Sequence, residues 1–372
     1  MEPRTVGVEE EFLLVDPRDG RPRAVASAVL AADQARSPDE PTNDDEDGAV
    51  EAELQLQQVE TGTQPCRTLD ELDKQLRSAR RHAAEAARSR GVEIAAIGTS
   101  PLPVQAELTP SPRYWRMVRR FGMTVSEQLT CGCHVHVGVE DDEERVAVLD
   151  RIRPWLAPLL ALSGNSPFWQ GEDSRYASYR SQVWARWPCT GPTELFGSAA
   201  AYHGAVAAMT GSGTVLDPGM VYFDARLSQH YPTVEVRVAD VCLDADHALL
   251  LAALVRALVE TAARGWAAGH PPQPVRMELL RLAAWRAARS GLEDDLVDPR
   301  TLRPAPARTV LDALLTHVHD ALEDSGELTE VYQLREALLR GGTGAQRQRA
   351  VYARTGSFAD VVADSVRRTH DD

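Results

Sequence analysis

The sequence predicts an α+β fold, a single catalytic domain over residues 1–372 with strands in the first two-thirds and a helical C-terminal part from about residue 245. Three observations predict it. The chain opens in the order strand, helix, strand; two later stretches alternate apolar and polar residues with the period of two of a half-buried strand; and nearly everything after Asp244 reads helical. No internal repeat, and no Gly/Ser- or Pro-rich linker, separates autonomous units.

Residues 5–15 are strand-like and run into Asp16, Pro17, Arg18, Asp19 and Gly20, turn residues that end a strand. Residues 33–48 are acidic and rich in Pro, Asp and Asn, too polar to bury anything, and read as a mobile loop. Within it Asn43, Asp45, Asp47 and Gly48 imitate the start of a calcium loop, but the twelfth position is Leu54 where a bidentate Glu is required, which excludes calcium. A helix over 68–90 opens with a capping box between Thr68 and Glu71 and stops at Gly91; residues 92–97 then form a strand stopped by Gly98. Residues 131–139 and 222–241 supply further strand-like stretches, whereas 142–162 and 198–209 are helical. The longest apolar run, 245–268, carries His247, Arg256, Glu260 and Arg264, which a membrane span would have to bury in lipid, so it is a core helix and no membrane is involved.

Composition excludes several chemistries. A formal charge of −15 disfavours nucleic acid, whose nonspecific affinity comes from Lys and Arg neutralising phosphates. Lys74 is the sole lysine and sits in the first turns of a polar-faced helix, so neither a P-loop nor a pyridoxal Schiff base is available. The N-terminal residues lack the basic start and apolar stretch of a secretory signal, which points to a cytoplasmic protein. Cys66, Cys131, Cys133, Cys189 and Cys242 form no CxxC pair and are expected as reduced thiols.

Residues two apart in a strand share a face. By that parity His134 and His136 face a space kept open by Gly132 and Gly138, with Cys131, Cys133 and three valines on the other side. Glu235 and Arg237 share a face backed by Val234, Val236 and Val238, and Glu9 shares one with Glu11. Each pair has an ordinary alternative: a solvated face for the glutamates, a zinc pair or backbone-satisfied core histidines, and a structural ion pair for Glu235 with Arg237. Three valine-backed strands that each reserve one face for such pairs are better explained as one site. Alternation points thiols and imidazoles apart, and a mostly carboxylate set suits a hard cation, Mg²⁺ or Mn²⁺. Glu53 and Glu60, seven apart, fall on opposite faces of a regular strand and reach one site only across a bulge or helical turn.

These segments, with 7–15, 132–138, 162–171, 176–180 and 233–240, resemble the type 2 glutamate–cysteine ligase family, the YbdK-like carboxylate–amine ligases, over nearly the whole chain. The resemblance implies a fold like the catalytic domain of glutamine synthetase, a curved, mostly antiparallel sheet backed by helices. It implies ATP and Mg²⁺ as cofactors, with glutamate and an amine such as cysteine or another small amino acid as substrates, and a homodimer or larger homo-oligomer. By motif, Glu9, His134 and Glu235 would hold one metal and Glu11, Glu53 and Glu60 another; His136 would lie at the nucleotide and Arg237 on its phosphates. Arg226, Arg180 and Arg186 are candidates for clamping an anion, and Trp169, Trp184, Trp187 and Tyr231 are possible pocket walls. A phosphoryl group from ATP would activate the γ-carboxylate as an acyl phosphate, a task of positioning and charge neutralisation. The other readings open at this stage are a metal-dependent hydrolase acting without ATP and a guanidino-kinase-like phosphotransferase.

Overall fold

The computed structural model describes residues 3–36 and 50–370. Its strands in chain order are β1 Val6–Val15, β2 Val50–Ala52, β3 Gln58–Gly62, β4 Glu93–Ala95, β5 Gly132–Gly138, β6 Phe168–Trp169, β7 Glu172–Asp173, β8 Ala225–Leu227, β9 Thr233–Asp240, β10 Asp295–Asp298 and β11 Arg303–Pro306. Seven of these form one sheet in the order β2-β3-β1-β5-β9-β8, with β4 paired to the C-terminal end of β1 and every neighbour antiparallel. One face is covered by helices. Val6, Val8, Cys133, Val135, Val137, Val234 and Val236 pack there with the helices Leu69–Arg88, Asp142–Ile152 and Ala245–Ala267, each buried valine contributing roughly 1.5–3 kcal/mol.

Alternation in β1 assigns its three consecutive glutamates to two faces. Glu9 and Glu11 point away from the helices, while Glu10 takes a core position and receives two hydrogen bonds from the Arg80 guanidinium, at 2.6 and 2.8 Å. Both members of that pair are buried. The sheet is irregular at one place: β9 pairs with β5 in a register that shifts between Cys133 and Val135, so two residues of β9, Arg237 and Val238, face His134. A bulge of this kind flips the parity of the residues beyond it. Asp240 is thereby brought to the face of Glu235 and Arg237, where the Ser166 and Ser178 hydroxyls each donate to it at 2.7 Å and the Asn165 N–H at 2.9 Å.

The Thr68–Glu71 capping box, the turn after β1, the free cysteines and an exposed Lys74 stand as expected, with Lys74 paired to Asp70 and all five thiols buried. No helix among the described residues is long and apolar enough to cross a membrane. The structure corrects four expectations. Residues 33–36 belong to the helix Ala26–Arg36, and the remainder of the acidic loop, including the calcium-like residues at 43–48, lies outside the described residues. The stretch 222–241 is a hairpin, because the polar run 228–232 turns the chain between β8 and β9. The strand expected over 92–97 is limited to β4, and β10–β11 forms a hairpin inside the helical C-terminal part.

Candidate active site

Sheet register assembles the site. Glu60 stands opposite Glu11, Glu9 opposite His134, His136 opposite Glu235, and Glu235 opposite Arg226, so charged side chains form a band across β3, β1, β5, β9 and β8. Glu53 joins it because the chain leaves the strand after Ala52 and turns before β3, which resolves the seven-residue spacing. Oxygens of Glu11, Glu53 and Glu60 lie within 4.8 Å of one another, the triplet expected for one metal. The other expected triplet, Glu9, His134 and Glu235, does not form one group. Glu9 instead meets Glu235 together with His136, and meets His134 together with Glu60, within the same 4.8 Å.

The electrostatics fit a site that holds a cation. Burial, then repulsion from Glu53, pushes the Glu11 carboxyl up to about 7, although Arg180 and the Gly132 N–H, which donates to it at 2.6 Å, pull the other way. Burial and Glu53 likewise push Glu60 well above the ordinary carboxylate range. Three half-buried carboxylates within 4.8 Å of one another are unfavourable unless protonated or bound to a metal. Burial alone would raise Glu9 too, but the His134 hydrogen bond and the adjacent His136 ring hold it well below its ordinary value. Burial, assisted by Arg237, pushes His134 down to about 4, so its ring is neutral. Its Nδ1 lies 3.3 Å from Glu9 Oε2; with the proton there, Nε2 keeps a bare lone pair, and that buried atom has no hydrogen-bond partner among the described residues. His136 places Nδ1 3.0 Å from the Thr233 hydroxyl, while its Nε2 is 3.2 Å from Glu9 Oε1 without hydrogen-bond alignment. Carboxylates arranged so around the neutral His134 ring suit Mg²⁺ or Mn²⁺.

Arg226 Nε and Nη2 donate to the two Glu235 oxygens at 2.7 and 3.1 Å, and Arg237 pairs with the same carboxylate. Against the pull of burial, the two guanidiniums hold Glu235 down to about 2. The cleft over the band, about 260 Å³, is lined by Glu9, Glu11, Glu53, Glu60, His134, Arg226 and Arg237, and also by Arg113, Tyr114 and Tyr222. Arg180 lies beside it. Its backbone N–H donates to Ser166 Oγ at 2.9 Å, which ties it to the Asp240 network, and its guanidinium occupies the space a side chain at Gly132 would fill. Arg186 does not enter this cleft; it pairs with Glu127 at 2.5 Å and lines an adjoining one.

That adjoining cleft measures about 820 Å³ and shares Trp184, Trp187 and Arg237 with the carboxylate cleft. On the other side, a cleft of about 620 Å³ shares Arg226 and is walled by Tyr231, whose ring meets His136 edge-on at 6.1 Å. Trp169 packs on Tyr179 and lines none of these. Sequence reasoning missed Arg113 and Tyr114, on a helix Pro112–Phe121 for which it made no assignment. Lone residues without a period-two partner gave no signal.

The model of the family described as "Glutamate-cysteine ligase family 2" matches residues 5–364. A Streptomyces coelicolor protein that bears the provisional name glutamate–cysteine ligase 2 is 56% identical over 366 residues, covering 98% of this chain and 99% of its own. A Streptomyces avermitilis protein with a similar provisional name is 53% identical over the same length, with the same coverage. Among solved structures, a Francisella tularensis glutamate–cysteine ligase in complex with AMP matches with a TM-score of 0.66 at 14% identity, over all of this chain and 89% of that one. A bifunctional glutathione synthetase from Pasteurella multocida matches with a TM-score of 0.67 at 16% identity, over 99% of this chain and 52% of that one. At these identities the structural matches establish the fold, the glutamine-synthetase-like arrangement expected from the sequence.

Proposed function

The chain belongs to the glutamate–cysteine ligase family 2 and is a ligase, and from that premise we propose that it joins the γ-carboxylate of glutamate to an amine with cleavage of ATP, acting in the cytoplasm as a homo-oligomer. The observation that carries the proposal is the band of half-buried and buried carboxylates and imidazoles ending in the Arg226–Glu235–Arg237 triad. The hydrolase and guanidino-kinase readings find no support among the relatives.

Glu11, Glu53 and Glu60 would hold one divalent cation, and Glu9 and Glu235 with the flanking histidines a second. When bound, such cations neutralise phosphate oxygens and orient them. The chain's own residues do the rest. Arg237 and Arg226 present planar guanidiniums that bind phosphate at two points and stabilise charge on the group being transferred. Glu235 holds both in place before substrate arrives, so little reorganisation accompanies the transfer. The γ-carboxylate oxygen takes the terminal phosphoryl group of ATP, releasing ADP. The amine, having lost a proton, then attacks the acyl carbon; the C–N bond forms, the C–O bond to phosphate breaks, and its electron pair leaves with inorganic phosphate. We place the nucleotide on the side of His136 and Tyr231, and the amine at the opposite, Trp184 side. Arg186 and Arg180 act from that second side, Arg180 as the nearer anion contact.

ADP release measured with Mg-ATP, glutamate and a panel of amines tests this. It should require glutamate and an amine together. ADP release that ignores glutamate refutes the proposal.

A further inference from the structure

Resting on the ligase reading, we infer that the 820 Å³ cleft takes the amine substrate as an α-amino acid with a large apolar or aromatic side chain, its ammonium on Asp224 and its carboxylate on Arg281. The cleft opens onto the reaction centre, since Trp184, Trp187 and Arg237 line both. Asp224 is fixed on its wall through the backbone: its N–H donates to the Gly191 carbonyl at 3.1 Å, and its own carbonyl accepts from the Arg237 N–H at 2.9 Å. Its carboxylate has no hydrogen bond or ion pair among the described residues. Burial pushes that carboxyl up to about 7 even with Arg281 and Arg180 nearby, so an incoming ammonium would relieve an unfavourable charge. Arg281 lines the same cleft and likewise has no ion pair within 4.0 Å among the described residues. One unpaired carboxylate and one unpaired guanidinium match the two charges of an amino-acid zwitterion.

Beside Arg180, Ser181, Gln182, Arg186, Thr190 and Glu278, much of the wall is apolar. Leu282 and Trp285, on the helix Met277–Ser290, are 61% and 49% exposed, and the Trp285 indole N–H donates to the Tyr176 hydroxyl at 3.2 Å, which fixes the ring at the mouth of the cleft. Phe223, Leu160 and Pro192 continue the surface. Cysteine would leave most of this apolar part wet.

The test pairs binding with turnover. Quenching of the cleft tryptophans is titrated with L-phenylalanine, L-cysteine and phenethylamine in the presence of Mg-ADP, and glutamate-dependent ADP release is followed with the same amines. Phenylalanine should bind saturably and exceed cysteine in kcat/KM by about tenfold or more. Asp224→Asn, which removes no hydrogen bond of the fold, should raise KM for phenylalanine about tenfold with an unchanged circular dichroism spectrum. Arg281→Gln should weaken phenylalanine but spare phenethylamine, which lacks the carboxylate. A preference for cysteine with an unaffected Asp224→Asn variant overturns the inference, as does a Leu282→Asp variant that alters the oligomeric state but not KM. Phenylalanine binding lost in Asp224→Asn without ADP release for any amine would sink the ligase reading and leave this cleft assignment standing. ADP release with other amines but no phenylalanine binding does the reverse.

Discussion

Removing divalent cations should make this protein less stable as pH rises, and Glu11 sets the size of the effect. Its carboxyl moves from an ordinary 4.5 in the unfolded chain to about 7 in the fold, through burial and then repulsion from Glu53. A gap of that size corresponds to roughly 3 kcal/mol. The sign comes from which state releases its proton first. The unfolded chain ionises near 4.5 and the folded one only near 7, so the folded state suffers no loss below the lower value, loses stability progressively between them, and has lost the full amount above the upper. Chelated protein compared at about pH 5 and about pH 8 by urea unfolding should therefore lose roughly 3 kcal/mol. With an unfolding entropy of roughly 2 cal/mol/K per residue, that is a melting-point drop of about 4 °C. Saturating Mg²⁺ should abolish the drop, because the cation supplies the missing positive charge and binds only the folded state. Glu11→Gln should shrink it in chelator by about the Glu11 contribution and leave the part that Glu60 supplies. A wild-type profile equally flat with and without Mg²⁺, or a drop undiminished in Glu11→Gln, would refute the reasoning.

Other perturbations separate structural from functional carboxylates. Glu235→Gln should abolish ATP turnover with an intact circular dichroism spectrum, since it loosens both Arg226 and Arg237; wild-type turnover would remove the assignment. Glu10→Ala strands the buried Arg80 guanidinium and should cost about 3–5 kcal/mol in urea unfolding while leaving the kcat of folded enzyme unchanged. Gly132→Ala drives a methyl group into the Arg180 guanidinium, so kcat/KM for the amine should fall about tenfold with less than about 1 kcal/mol lost in stability.

How far the sequence carries depends on how local each feature is. β1 and β5 are legible because strict alternation separates valines and cysteines from glutamates and histidines, and that parity also removes the thiols from the metal site. The bulge opposite His134 leaves no compositional trace, so the place of Asp240, and through it the anchoring of Arg180, emerges only from pairing register. Glu53 is invisible to parity because a turn, not a strand, carries it to Glu11 and Glu60; only the family resemblance places it there. Arg186 lies on a short segment after the helix Arg180–Trp184 whose direction no periodicity fixes, and Glu127 takes it away from the carboxylates. The regrouping of Glu9 with His136 has the same origin: Glu235 lies directly across from His136, a cross-strand relation that spacing along one strand cannot express.

The most direct test of the account tracks an atom. With the γ-carboxylate of glutamate labelled with heavy oxygen, turnover with Mg-ATP and a productive amine should deliver one labelled oxygen to inorganic phosphate for each γ-glutamyl amide formed, because the acyl C–O bond breaks. Phosphate released without label, alongside an amide product, would contradict the acyl-phosphate route on which the site assignment rests.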